Sequence, residues 1–266
     1  AGELQRKLVH TLSKTELEDL YLPFKPKRRT KATIAREKGL EPLAQLIWEQ
    51  GTGLAGRDEL AAPYISVEKG LPDADSAFAG ARDIVAEMIS DDAGVRAALR
   101  AQAMDHGIMR SRLIAKRPDA DGDDDKPEPG NEREPGNHAA HSEPKDGKKE
   151  DPAAKFSDYF DYEEAVKSIP SHRMLALRRG EKEGVLRVTL ETDRDTAVGL
   201  VSQQIVRNPG ASLRGDLDKA IADAWERLLK PAIEVDVRLA LRERADGEAI
   251  RVFAENLRHL LLAAPL

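Results

Sequence analysis

The stretch Leu17-Glu-Asp-Leu-Tyr-Leu-Pro-Phe-Lys-Pro-Lys-Arg-Arg-Thr-Lys-Ala-Thr-Ile-Ala-Arg-Glu-Lys-Gly-Leu-Glu-Pro-Leu-Ala44 sets helical signals on both sides of a basic run. Leu17, Leu20 and Tyr21 fall on one face of a short helix over residues 13–22, which Pro23 ends by removing a backbone donor. Pro26 favours extended backbone at Lys25. Thr30 to Lys38 reads as a second helix closed by Gly39, and Pro42 stands early in a third whose apolar face is Leu43, Leu46 and Ile47. Two short helices joined across a glycine predict a helix-turn-helix-like unit, a pattern that αα-hairpins of many helical proteins share.

Further along, apolar residues keep helical spacing. Ala77, Phe78, Ala81, Ile84, Val85, Met88 and Ile89 mark a helix over 75–89, and Val95, Leu99, Ala103 and Met104 mark one over 93–104. Residues 108–116 are ambiguous between a strand and a connector. Gly184-Val-Leu-Arg-Val-Thr-Leu-Glu191 alternates in part and is the best strand candidate, with residues 174–179 either its hairpin partner or a helix. Residues 216–230, 231–244 and 246–263 form a long helical tail, in which Pro231 starts a new helix or kinks a continuous one. The expected fold is mainly α, with a helical N-terminal domain at 1–116 and a second helical segment at 155–266 that carries a small β element near 184–191.

Composition agrees. Charged residues make up 34 % of the 266 and aromatics 4 %, a balance that suits long helices better than a β-sandwich. Without cysteine there is no disulfide and no thiolate metal site, which fits a reducing cytoplasm. No apolar run approaches the ~20 residues of a membrane-spanning helix, and the first residues lack a signal peptide's apolar stretch. The net charge of -6 is local in origin: residues 119–151 hold 12 acidic and 5 basic side chains, so the remainder carries +1. That acidic tract, within 117–154, has almost no apolar side chain to offset chain entropy and reads as a disordered insertion or linker.

The basic run is the leading candidate for function. Lys25, Lys27, Arg28, Arg29, Lys31, Arg36 and Lys38 either neutralise nucleic-acid phosphates or are paired internally, Arg28 and Arg29 with Glu16, Glu18 or Asp19. Arg173, Arg178 and Arg179 offer a second set of phosphate-fitting guanidinium groups, or a solvated helix face. The cluster Phe156, Tyr159, Phe160 and Tyr162 reads as core or as a base-stacking platform.

Catalytic patterns are weak. Ser171 and His172 are adjacent and point apart in most backbones, and no third member accompanies them. The carboxylates Asp158, Asp161, Glu163 and Glu164 are better explained by nearby arginines than by a metal. His138 and His141 lack a third ligand. Gly51-Thr-Gly-Leu-Ala-Gly56 matches the dinucleotide fingerprint, but a helical pattern precedes it where that motif needs a strand. No enzyme activity, cofactor or metal is expected.

The stretch 17–44, followed in order by Lys155-Phe-Ser-Asp-Tyr-Phe-Asp-Tyr-Glu-Glu164 and Ile169-Pro-Ser-His-Arg-Met-Leu-Ala-Leu-Arg-Arg-Gly-Glu-Lys-Glu-Gly-Val-Leu-Arg187, resembles the Tex family of bacterial transcription accessory proteins. The resemblance covers the chain except residues 117–153. It implies the N-terminal helical core of such a protein, without the ribonuclease-H-like and S1 RNA-binding domains that follow in the family. It further implies a non-catalytic, cytoplasmic factor that binds RNA or DNA backbone without reading sequence. The alternative is a scaffold that positions those downstream domains and contacts transcription machinery.

Overall fold

The computed structural model describes residues 14–25, 29–114 and 153–262. Lys27 and Arg28, nearly all of the acidic tract and the last four residues lie outside that set. Among the described residues the order is α1 (Lys14–Tyr21), a 3-10 turn (Leu22–Phe24), α2 (Lys31–Glu37), α3 (Glu41–Glu49), α4 (Arg57–Ala61), α5 (Ala74–Ser90), α6 (Ala93–His106) and β1 (Ile108–Leu113). After the acidic tract come a 3-10 helix (Ala154–Tyr159), β2 (Asp161–Ala165), α7 (Ser171–Lys182), β3 (Leu186–Glu191), α8 (Arg194–Ile205), α9 (Arg214–Asp223) and α10 (Lys230–Leu262). The mainly α expectation holds, including the strand at 186–191 and the long terminal helix.

Caps account for the helix starts. The Thr30 hydroxyl accepts from the Thr33 amide at 3.0 Å and opens α2. Asp73 and Ser76 form a reciprocal capping box on α5. Asp92 and Asp193 cap α6 and α8 through the amides of Val95 and Thr196. Between α2 and α3, Gly39 takes φ +87°, a left-handed turn that costs glycine little.

α5 lies at the centre. Its Phe78, Ala81, Ile84, Val85 and Ile89 are fully buried, and α2, α3 and α9 pack around it. Gly80 permits the closest approach, because a Cβ there would stand 2.4 Å from Leu40 Cδ1. Buried side chains from both sides of the acidic tract, Ala32 through Ala245, belong to one apolar cluster.

The sheet is antiparallel in the order β2-β1-β3. Residues 108–113, ambiguous in sequence, form its central strand because they find partners on both sides. β2 falls inside the aromatic and acidic block and has no alternation of its own to announce it. Its register places Glu163 opposite Arg110 and Asp161 opposite Arg112. Arg110 bridges Glu163 on β2 and Glu191 on β3 at 2.5 Å each, so cross-strand charge pairs carry the outer face. Residues 174–179 are helical, within α7. Phe156 is buried, Tyr159, Phe160 and Tyr162 are half-buried against the core, and Tyr159 meets Tyr162 edge-on at 5.3 Å.

The tail is more continuous than its sequence suggests. α9 runs through a π-helical turn, Ala224–Leu229, straight into α10, where the Lys230 amide donates to Trp225 O, five residues back. In a regular α-helix the Pro231 ring would collide with the carbonyl of Arg227; the wider turn just before it relieves that contact. No break follows at 244–246, where Ala245 is buried and helical. From Glu248 onward every residue of α10 is exposed, although Ser171 donates to Glu248 and residues 248–256 line a groove with the start of α7.

Candidate functional site

The described cations of the basic run divide by partner. Arg29 pairs with Glu37 at 3.1 Å, not with Glu16, Glu18 or Asp19. Arg36 is drawn inward to the buried Glu87, at 2.7 Å. The same carboxylate accepts from Thr30, the residue that caps α2, so one acid fixes both the start of that helix and its last turn. Lys25, Lys31 and Lys38 have no ion pair among the described residues.

Lys31 and Lys38 stand seven residues apart, on the same side of α2. They line one groove of about 270 Å³ between α2 and α5, together with Ile34, Gly70, Ser76 and Asp83. Lys38 Nζ lies 3.6 Å from the position a Gly70 Cβ would take. Lys69 joins them, its ammonium 3.5 Å from the Lys38 carbonyl oxygen. Asp83 is the acid in the groove, and Arg227 already holds it at 2.7 Å. Burial pushes the Asp83 carboxyl above its ordinary 3.8; Arg227 and Lys31 pull the other way without overcoming it. Lys69 was not singled out in sequence, because only tertiary folding brings the turn at 66–71 to the end of α2.

The groove is a concave surface lined by two ammonium groups, with the third, of Lys69, beside it and a backbone left bare at Gly70. Such a surface can receive phosphates or carboxylates. The exposed side of α3 cannot do so through charge: it presents Glu41, Pro42, Gln45 and Glu49 and no cation. Among the described residues no group of histidines and carboxylates is placed to hold a metal ion, and no helix is long and apolar enough to cross a membrane. Gly51 to Gly56 follow the helix α3, and the turn before them is held by the buried Gln50, whose amide bonds Ile205 O and the amides of Arg207 and Asn208. The fingerprint there is a loop anchored to the connection between α8 and α9.

The second predicted set does not gather into one site. Arg173 pairs with Glu164 at 3.1 Å and lies over the Tyr162 ring. Arg178 approaches Asp246 at 3.9 Å. Arg179 alone is exposed with no ion pair among the described residues, on the rim of a groove with Lys155 and His172.

Sequence reading also passed over the buried charge centres. Arg57 and Arg82 converge on Asp216, which has 6 % of its side chain exposed. Arg96 and Arg100 converge on Asp19 and Asp236. In each, acid and base are far apart in the chain, so no local spacing reveals them.

Known proteins place the chain in context. A family described as Tex central region-like matches residues 56–125 and 135–253, so the break in the match is the short stretch 126–134 inside the acidic tract. The basic stretch 17–44 precedes the matched region, but pairwise relatives align across it. The chain is 35 % identical to Protein tex of Bordetella pertussis over 99 % of its length and 31 % of that protein. It is 37 % identical to the Transcriptional accessory protein Tex of Neisseria gonorrhoeae over its whole length and 31 % of that protein. It is 26 % identical to the human S1 RNA-binding domain-containing protein 1, covering 23 % of it. The chain thus spans about a third of the length of its bacterial relatives.

Proposed function

The chain belongs to the Tex family, and on that premise we propose that it is a non-catalytic part of a cytoplasmic transcription accessory protein that grips nucleic-acid backbone in the groove between α2 and α5. The observation that carries this reading is the pairing pattern within the basic run: Arg29 and Arg36 have acidic partners, whereas Lys31 and Lys38 meet in one groove with none but the already paired Asp83. Lysine ammonium groups contact phosphates as point charges, and phosphate contacts carry no sequence information, so binding is expected to be indifferent to sequence. Relatives named for transcription and for an S1 RNA-binding domain support a nucleic-acid partner.

The test is fluorescence anisotropy of the chain with a labelled duplex DNA and a labelled single-stranded RNA. Micromolar binding that weakens steeply with salt supports the reading; no binding at low salt refutes it.

A scaffold role has its own support. Ile250, Phe253, Leu260 and Leu261 on the distal part of α10 are each about 70 % exposed. In this reading the helix docks transcription machinery or further domains of a longer protein. The two roles are compatible because they use opposite ends of the chain.

A further inference from the structure

α1 is attached in the reverse of the usual way. An amphipathic helix ordinarily buries its apolar stripe. Here the one buried residue of α1 is Asp19, while Leu17 is 45 % exposed, Tyr21 54 % and the following Phe24 63 %. The Asp19 carboxylate sits between Arg96 and Arg100, one turn apart on α6. Arg96 Nε donates to Oδ1 at 2.6 Å and Arg100 Nη2 donates to Oδ2. Both guanidinium groups also donate to Asp236 of α10, at 3.2–3.3 Å. Burial draws the Arg100 guanidinium toward losing its proton, but the hydrogen bond and charge of Asp19, with the charge of Asp236, more than restore it.

We propose that Arg96 and Arg100 form a phosphate-class anion site that Asp19 occupies when α1 is docked, and that a polyanion displaces Asp19 and releases the helix. Two guanidinium groups aimed at one pair of oxygens suit a phosphodiester as well as a carboxylate. Asp236 stays behind, so the arginines keep a partner when Asp19 leaves, while the site gains one unit of positive charge. The apolar surface that opposes release is limited, because Leu17 and Tyr21 already meet water and Leu20 is the one half-buried large apolar side chain of α1. Lys25, at the end of the turn after α1, is exposed and begins the basic run. The physiological polyanion follows from the nucleic-acid reading above, on which this inference rests for its ligand but not for its geometry.

The experiment is hydrogen exchange on the whole chain with and without inorganic polyphosphate, at matched sodium concentration. Amides of residues 14–21 are expected to lose protection several-fold while those of α5 stay unchanged. Asp19→Asn is expected to bind polyphosphate several-fold more tightly, because no carboxylate then competes for Arg96 and Arg100. Protection of α1 that polyphosphate leaves untouched overturns the proposal; so does an Asp19→Asn chain of unaltered affinity. If that variant does not fold, the wild-type exchange result decides. Duplex DNA that binds while α1 stays protected removes this inference alone; polyphosphate that opens α1 in a chain unable to bind DNA or RNA keeps it and removes the nucleic-acid reading.

Discussion

Arg36 of α2 donates to Glu87 of α5 across 2.7 Å, tying together residues 51 apart in the chain. Of the described cations in the basic run it is the one turned to the interior, and Glu87 has only 9 % of its side chain exposed. Arg36→Met takes the guanidinium away from that carboxylate, to which the Thr30 hydroxyl still donates. Removing one partner of a buried pair costs ~3–5 kcal/mol, and the partial exposure of Arg36 lowers this to roughly 2–3 kcal/mol. Chemical denaturation measures it, and a loss under ~0.5 kcal/mol contradicts a structural role for Arg36.

The α2–α5 contact relies on a missing side chain. Gly80→Ala inserts a methyl group against Leu40, which is itself fully buried. Overpacking of this kind costs about 1–3 kcal/mol, of which the better helix propensity of alanine returns about 1. A net loss of up to roughly 2 kcal/mol in urea unfolding is expected, and a stabilised variant would show that the helices are less closely packed.

Asp83 predicts a pH dependence with a definite sign. Its carboxyl is raised in the folded protein, chiefly by burial. The folded state therefore holds this proton more tightly than the unfolded chain, and its contribution is greatest at low pH. It is lost as pH rises from the ordinary 3.8 through the raised value, leaving an ionised, partly buried carboxylate. Asp83→Asn should thus compare with wild type increasingly well as pH rises from about 3 to about 7, read from paired thermal melts. An advantage that shrinks over that range contradicts the burial argument.

α10 should divide into a core half and a free half. Val237 and Leu241 are buried, so either changed to alanine costs about 1–4 kcal/mol. Phe253→Ser and Leu260→Ser fall where both side chains are about 70 % exposed, and should leave stability within ~0.5 kcal/mol. Thermal melts of the four variants check this, and a cooperative loss in the distal pair would place that half in the core.

Much of the fold is legible in the chain because its helices carry local signals. Asp73, Asp92 and Thr30 cap, Gly39 turns, and the stripe from Ala77 to Ile89 marks the central helix. β2 is not legible: Asp161–Ala165 has charged residues at three of five positions and becomes a strand through the arginines of β1 that face it. The unbroken α9–α10 helix is hidden because Pro231 normally signals an end, and only a π turn upstream removes the collision. At the candidate site, sequence spacing brings Lys31 and Lys38 to one face but cannot say that Arg36, between them, finds Glu87. Nor can it find Lys69, or the arginines that hold Asp19, since those partnerships exist only after distant elements meet.

The most direct test compares wild type with Lys31→Gln/Lys38→Gln by anisotropy on duplex DNA, titrated from low to physiological salt, alongside a melting curve. Lys31 is exposed, Lys38 is half-buried, and neither has an ion pair among the described residues, so the melting temperature should move little. If each neutralises a phosphate, the slope of log affinity against log salt falls by roughly 1.8, two contacts at about 0.9 each. An unchanged slope and affinity in a folded double variant would contradict the groove as the nucleic-acid site.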